Sequence, residues 1–385
     1  PLPWARRRPN GVFLYMPSGH AHAGMAVQAL AAAGAAAEAY VADLAPRAGL
    51  PPNVVPRKSQ PEYGAVMALL LQEAQTLHAP GRPIERLFFV GDTRLNDGNA
   101  FAAICRAGGW PGLGFIGADR PAPPQTEIVD QQGAALFVAN RWTALADFDR
   151  YAAAQGLPID ERSAVVVDID KTALGARGRN DHTIDEARVE AVRRTVGSLL
   201  GRSYDPVRFQ SAYDRLNQPE FHRFTADNQD YLAYICLVLG DGLFDLEPLV
   251  ARVQRGEMAS FEQFIADVDG RAAQLSAGLR PIHAQIFALV RQGDPTPFKA
   301  FRINEYQTTV AKMGCLDDDA PVERLLRDEL VITQEVRAAS LMWRERGALL
   351  FGLSDKPDEA STPSAEWAAR GYQPIHRTET HIVGM

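Results

Sequence analysis

Disulfide chemistry is the first thing this sequence cannot support. Its three cysteines, Cys105, Cys236 and Cys315, are odd in number and far apart, so they offer neither a disulfide framework nor a zinc-ligand spacing. Such usage suits a reducing compartment and predicts a cytoplasmic protein. Long apolar runs are missing as well. No stretch reaches the roughly 18 residues of a membrane span, and the Ala-rich segment 26–39 lacks the flanks of a signal peptide. There is no excess of positive charge either: a formal net charge of −7 argues against a general grip on nucleic acid. The short run Arg6-Arg-Arg8 beside Trp4 reads as a solvated terminal charge run. What is present is an ordinary globular mixture over 385 residues, room for two or three domains or for one core carrying a large insertion.

The most informative run is Ala164-Val-Val-Val-Asp168-Ile-Asp170-Lys-Thr172. Four apolar residues read as a strand buried on both faces, and it ends where two carboxylates begin. Gly175 and Gly178 break any regular continuation. In an open α/β sheet the carboxyl ends of parallel strands are where ligands bind. Carboxylates crowded there repel one another and lose hydration, and a hard cation such as Mg2+ relieves both. A second run repeats the form: Leu87-Phe-Phe-Val-Gly91-Asp92-Thr-Arg-Leu-Asn96-Asp97-Gly98. Asn-Asp-Gly alone is good turn chemistry, but a turn does not need Asp92 at the strand end. A third run, Ala348-Leu-Leu-Phe-Gly-Leu353, ends in Ser354, a neutral hydroxyl donor. The fourth piece is Arg57-Lys58-Ser-Gln-Pro61-Glu-Tyr63, a lysine before a helix that Pro61 can start.

Together these pieces resemble the haloacid dehalogenase (HAD) superfamily of phosphohydrolases. That family uses an Asp-x-Asp-x-Thr motif, a Ser or Thr motif, a Lys motif and a paired-Asp motif, in that order. Here Asp168/Asp170/Thr172, Ser354, Lys58 and Asp92/Asp97 match them, but the chain runs Lys58, Asp92/Asp97, Asp168/Asp170, Ser354. The cycle is the same and the cut differs, which reads as a circular permutation, a change tolerated where termini lie close at the surface. One complete set of motifs favours a single permuted domain over halves of two.

The coarse pattern agrees. Within a first core segment, 1–173, residues 1–163 alternate strand and helix signals: strand 12–16, helix 23–39, helix 61–76, strands 87–90, 113–116 and 135–138, helices 99–107 and 142–155. This predicts an α/β fold, a parallel sheet flanked by helices. Residues 174–345 lose the strand signal and read as a helical cap insertion, with helical periodicity over 186–200 and 325–346, before the core returns over 346–385. Gly112-Leu-Gly114-Phe-Ile-Gly117 matches the dinucleotide fingerprint in its letters, but its apolar residues lie inside the motif and no helix can open after it, so it reads as a buried strand. His20, His22, His376 and His381 are scattered and read as surface or core histidines rather than zinc ligands. The aromatic stretch from Phe221 through Tyr234 reads as helix packing.

The resemblance implies a Mg2+-dependent phosphatase acting on a small phosphorylated substrate. Asp168 is the implied nucleophile and Asp170 the acid and base. Asp168, Asp170 (through its backbone carbonyl), Asp92 and Asp97 are the implied metal set, with Asp97 a direct ligand or one step removed. Ser354 and Lys58 bind phosphoryl oxygens. Lys356 competes with Lys58 for the lysine role, and Lys58 is preferred because its helix leads into the Asp92 strand. Thr172, Arg177, Arg179 and His182, with His222 and Arg223, are candidate substrate contacts. Two alternatives share the pattern: a phosphotransferase using the same aspartyl-phosphate, and a HAD-like scaffold whose helical region binds a partner.

Overall fold

The computed structural model describes residues 46–50, 58 and 62–384, and the backbone of two strands before them. The helix expected at 23–39 and the pair His20/His22 lie outside the described residues. The chain falls into two compact units, Pro1–Glu186 with Thr309–Met385, and Ala187–Thr308.

Ten strands are described: β1 (Trp4–Pro9), β2 (Leu14–Pro17), β3 (Arg86–Gly91), β4 (Gly112–Gly117), β5 (Thr126–Gln131), β6 (Ala134–Ala139), β7 (Ser163–Asp168), β8 (Ile332–Thr333), β9 (Leu349–Ser354) and β10 (Glu379–Gly384). Seven of them form one sheet in the order β2-β9-β7-β3-β4-β6-β5. All neighbours are parallel except β5, which runs antiparallel to β6 at one edge. The central strands β3, β7 and β9 are almost wholly buried, as unbroken apolar runs require of a sheet covered on both faces. Alternate residues serve opposite faces. Leu87, Phe89, Ala164, Val166, Leu349 and Phe351 pack with Met67 and Leu71 of helix Tyr63–His78 and with Phe101 and Ile104 of helix Asn99–Gly108. On the other face Phe88, Phe115 and Phe137 contact Phe148, which in turn meets Trp343 edge to face.

If β7 is counted first, followed by β9, β2, β3, β4 and β6, the spatial order is the doubly wound 3-2-1-4-5-6. The chain enters this order at its third member. The order reverses between β7 and β3, and their carboxyl ends carry Asp168 and Asp92.

Two sequence expectations differ in the structure. The helix expected over 325–346 is interrupted: Val322–Asp328 and Gln334–Glu345 are separate helices, and β8 lies between them. The β-branched run Val331-Ile-Thr333 prefers a strand, which pairs with β10 and bridges Leu174. β10, β8 and β1 make a second, three-stranded sheet that no periodicity announced. The helical insertion expected over 174–345 is narrower as a compact unit, Ala187–Thr308, with the flanking segments belonging to the first unit. That second unit is helical, and its core gathers Phe221, Phe224, Tyr234, Phe261 and Phe264. Gly112–Gly117 is the strand β4, where a Cβ on Gly112 would lie 1.9 Å from the Leu87 carbonyl oxygen. No helix among the described residues is long and apolar enough to cross a membrane.

Candidate functional site

Three carboxylates meet at the reversal point. Asp168 closes β7, Asp92 follows β3, and Asp97 sits in the turn Arg94–Gly98, a π-helical turn that runs into helix Asn99–Gly108. Their oxygens lie within 4.8 Å of one another, the one such cluster among the described residues. Gly91 makes the approach possible: a Cβ there would stand 2.6 Å from Cβ and Cγ of Asp97. Asp97 is held firmly. Its Oδ2 accepts from the backbone N–H groups of Asp92 (3.1 Å) and Thr93 (3.0 Å) and from the Thr93 hydroxyl (3.0 Å). Its Oδ1 accepts from the Lys58 ammonium at 2.8 Å.

Lys58 reaches the cluster from a distant segment and also donates to Asp168 Oδ1 at 2.5 Å. Its side chain is only 4% exposed. Burial alone would lower its proton affinity, but Asp168 and Asp97 raise it well above the ordinary lysine value, so it stays an ammonium. Burial would raise Asp97, yet the charge and hydrogen bond of Lys58 hold it below the usual carboxylate range. Asp168 is pushed well up by burial and by Asp97 and Asp92, against the pull of Lys58. Asp92 is pushed up to about 7 by burial and by the charge of Asp97, with the Arg177 guanidinium opposing. Thus two of the three carboxylates carry charge that their surroundings do not fully offset.

Those residues fit a hard divalent cation. All donors are oxygens, they are buried, and the charge that their ion pairs only partly offset lies on Asp92 and Asp168. Asp97, whose oxygens serve Lys58 and the backbone, acts as a brace for the cluster. Asp170 stands outside the trio, with its carboxylate 3.3 Å from Lys356 Nζ. The turn that carries it continues through Lys171 at φ +63°, a left-handed residue, and Lys171 pairs with Asp185. The two lysines therefore serve different carboxylates, Lys58 the Asp168 pair and Lys356 Asp170. Ser354 lies beside the trio because Leu353 is in register with Asp168. Its hydroxyl accepts from the Lys356 N–H at 3.1 Å.

The candidate substrate contacts divide. Arg177 reaches the cluster, its Nε donating to Asp92 Oδ2. Arg179 is committed elsewhere, to Asp119 at 2.7 Å and to both Glu335 oxygens at 3.0 Å. Thr172 is fully buried and its carbonyl accepts from the Thr333 hydroxyl at 2.6 Å, so it supports the turn rather than presenting a group to solvent. His182 opens helix His182–Leu200 with its ring against the Arg327 carbonyl. His222 and Arg223 belong to the second unit. His381, buried, bonds Glu329 at 2.6 Å. Sequence reasoning named Arg177 only as a substrate contact and missed its pairing with Asp92. No signal in the local sequence joins residues so far apart.

No family model, curated protein or solved structure matches the chain.

Proposed function

We propose that this protein is a HAD-type phosphohydrolase with its motifs in permuted order, cleaving a small phosphate monoester through an aspartyl-phosphate. The observation that carries the reading is the convergence of Lys58, Asp92, Asp97 and Asp168 at the point where the strand order reverses. The strand order supports it too, since it is the doubly wound order entered at the third strand.

Asp168 attacks phosphorus, and its oxygen forms a bond as the substrate alkoxide leaves. Asp170 gives that alkoxide a proton, then takes one from the water that hydrolyses the intermediate. Lys58 favours the ionised form of Asp168 against burial and its acidic neighbours and aims it, and with Ser354 offers donors to the phosphoryl oxygens. Asp168 and Asp92 are the residues that would hold Mg2+. The cation would supply charge stabilisation for the transferring group.

The test is turnover of an aryl phosphate and a panel of phosphorylated metabolites by the purified chain with Mg2+. Asp168→Asn is expected to abolish turnover. Asp170→Asn is expected to show a burst and accumulate covalent phosphate, because an activated leaving group needs little protonation while release by water slows. Excess EDTA should silence the parent. Full activity of Asp168→Asn, or full activity of the parent in EDTA, would overturn the reading. Transfer of phosphate to added alcohols in preference to water would point to the phosphotransferase.

A further inference from the structure

The three carboxylates are compensated from two sides, and the two cations differ in kind. Lys58 is sealed inside and bonds Asp97 and Asp168. Asp92 is paired instead with Arg177, whose side chain is 36% exposed and so enters from the solvent side. The backbone that delivers Arg177 is fixed. Its N–H donates to the Lys171 carbonyl at 2.8 Å, and its own carbonyl accepts from the Asp119 N–H at 2.9 Å and the Trp142 indole at 3.2 Å. The next residue, Gly178, holds φ +78° with the Asp119 carbonyl oxygen 1.9 Å from where a Cβ would be, so no other residue fits that close approach. The guanidinium is therefore presented at a set place, and only side-chain torsions need change for it to leave.

A divalent cation on Asp92 and Asp168 would sit against this guanidinium. Like charges a few Å apart at a half-buried site repel by more than the roughly 1.4 kcal/mol that makes a tenfold difference in affinity, so both cannot keep Asp92 together. With all three carboxylates ionised and Lys58 alone beside them, the trio would hold a net charge of two negatives, which one divalent cation balances. Arg177 is then surplus at the cluster. Its planar fork suits the oxygens of a phosphoryl group.

We propose that Arg177 is an exchangeable counter-ion. It guards Asp92 in the metal-free protein, yields Asp92 when Mg2+ binds, and then turns to the phosphoryl oxygens, so that cation and substrate binding are coupled through one side chain. This rests on the reading of Asp92 and Asp168 as a cation site.

Titration calorimetry on the full chain tests it, at about pH 8.5. Mg2+ is titrated into the parent, Arg177→Ala, Arg177→Gln and Asp168→Asn, and inorganic phosphate into the first three with Mg2+ present. Both Arg177 variants are expected to bind Mg2+ about tenfold tighter and phosphate about tenfold more weakly than the parent. The glutamine variant retains most of the side chain, so agreement between the two separates lost charge from lost packing. Unchanged or weaker Mg2+ binding in both variants overturns the exchange and leaves the phosphatase reading standing. Weaker phosphate binding with unchanged Mg2+ affinity makes Arg177 a substrate ligand alone and also overturns it. A parent that binds Mg2+ no better than Asp168→Asn removes the cation site, and the functional reading falls with the exchange.

Discussion

Asp92 ties the chemistry of the site to pH. Its carboxyl is pushed up to about 7, whereas in the unfolded chain it would titrate near 4. Between those values the native protein holds more protons than the unfolded one, so stability contributed by this group falls as pH rises from about 4 to about 7 and is flat above. Asp168 moves in the same direction. Asp97 does not offset this, because its lowered value confines its own titration to more acid solution. A cation needs the ionised carboxylates, so its binding displaces protons from Asp92 below about pH 7. The rise in melting temperature on adding Mg2+ is therefore expected to be larger at about pH 8 than at about pH 5.5. A shift of equal size at both would mean that Asp92 and Asp168 do not take part.

The site depends on where elements end. Gly91→Ala puts a Cβ against Asp97 and must displace the brace that orients Lys58. Denaturant unfolding should show a loss of about 1–3 kcal/mol, as overpacking costs, together with a smaller Mg2+ effect than in the parent. Retention of both would mean that the turn Arg94–Gly98 shifts freely. These strand ends were legible in the sequence because β3, β7 and β9 are buried on both faces and so write unbroken apolar runs that stop at Gly91, Asp168 and Ser354. β5 was not legible: Thr126–Gln131 is an exposed edge strand with polar residues dominating, and it has no apolar run to read. β8 is two residues long within a helical context, and β10 finds its partners far along the chain. The commitment of Arg179 to Asp119 and Glu335 was equally invisible, since an arginine in a loop looks the same whether it waits for a substrate or is already bound.

Each of the two units has a core of its own. That of Ala187–Thr308 is drawn from its own helices and is pinned by Arg302, which bonds Asp230 at 2.8 Å and Glu305 at 2.6 Å while all three are buried. Arg302→Met takes the guanidinium away from both buried carboxylates, leaving Glu305 its longer contact with Arg188 (3.3 Å), and should cost about 3–5 kcal/mol. The excised segment 187–308 is expected to fold as helices and to show the same loss on chemical denaturation. If the variant is as stable as the parent, the buried ions do not hold that unit together. The register of the main sheet has a further consequence, in time rather than in space. β3, β4, β6 and β7 can pair as soon as residue 168 has left the ribosome, but β7 is in register with β9 through Ala164 and Leu349. The strand that ends in Asp168 thus waits, one edge unpaired, while the whole helical unit is synthesised. An open edge of Val165, Val166 and Val167 is the kind of template on which nascent chains aggregate. A helical unit that folds early brings its two ends to fixed positions and shortens the effective loop that β9 must close, which limits how long that edge stays exposed.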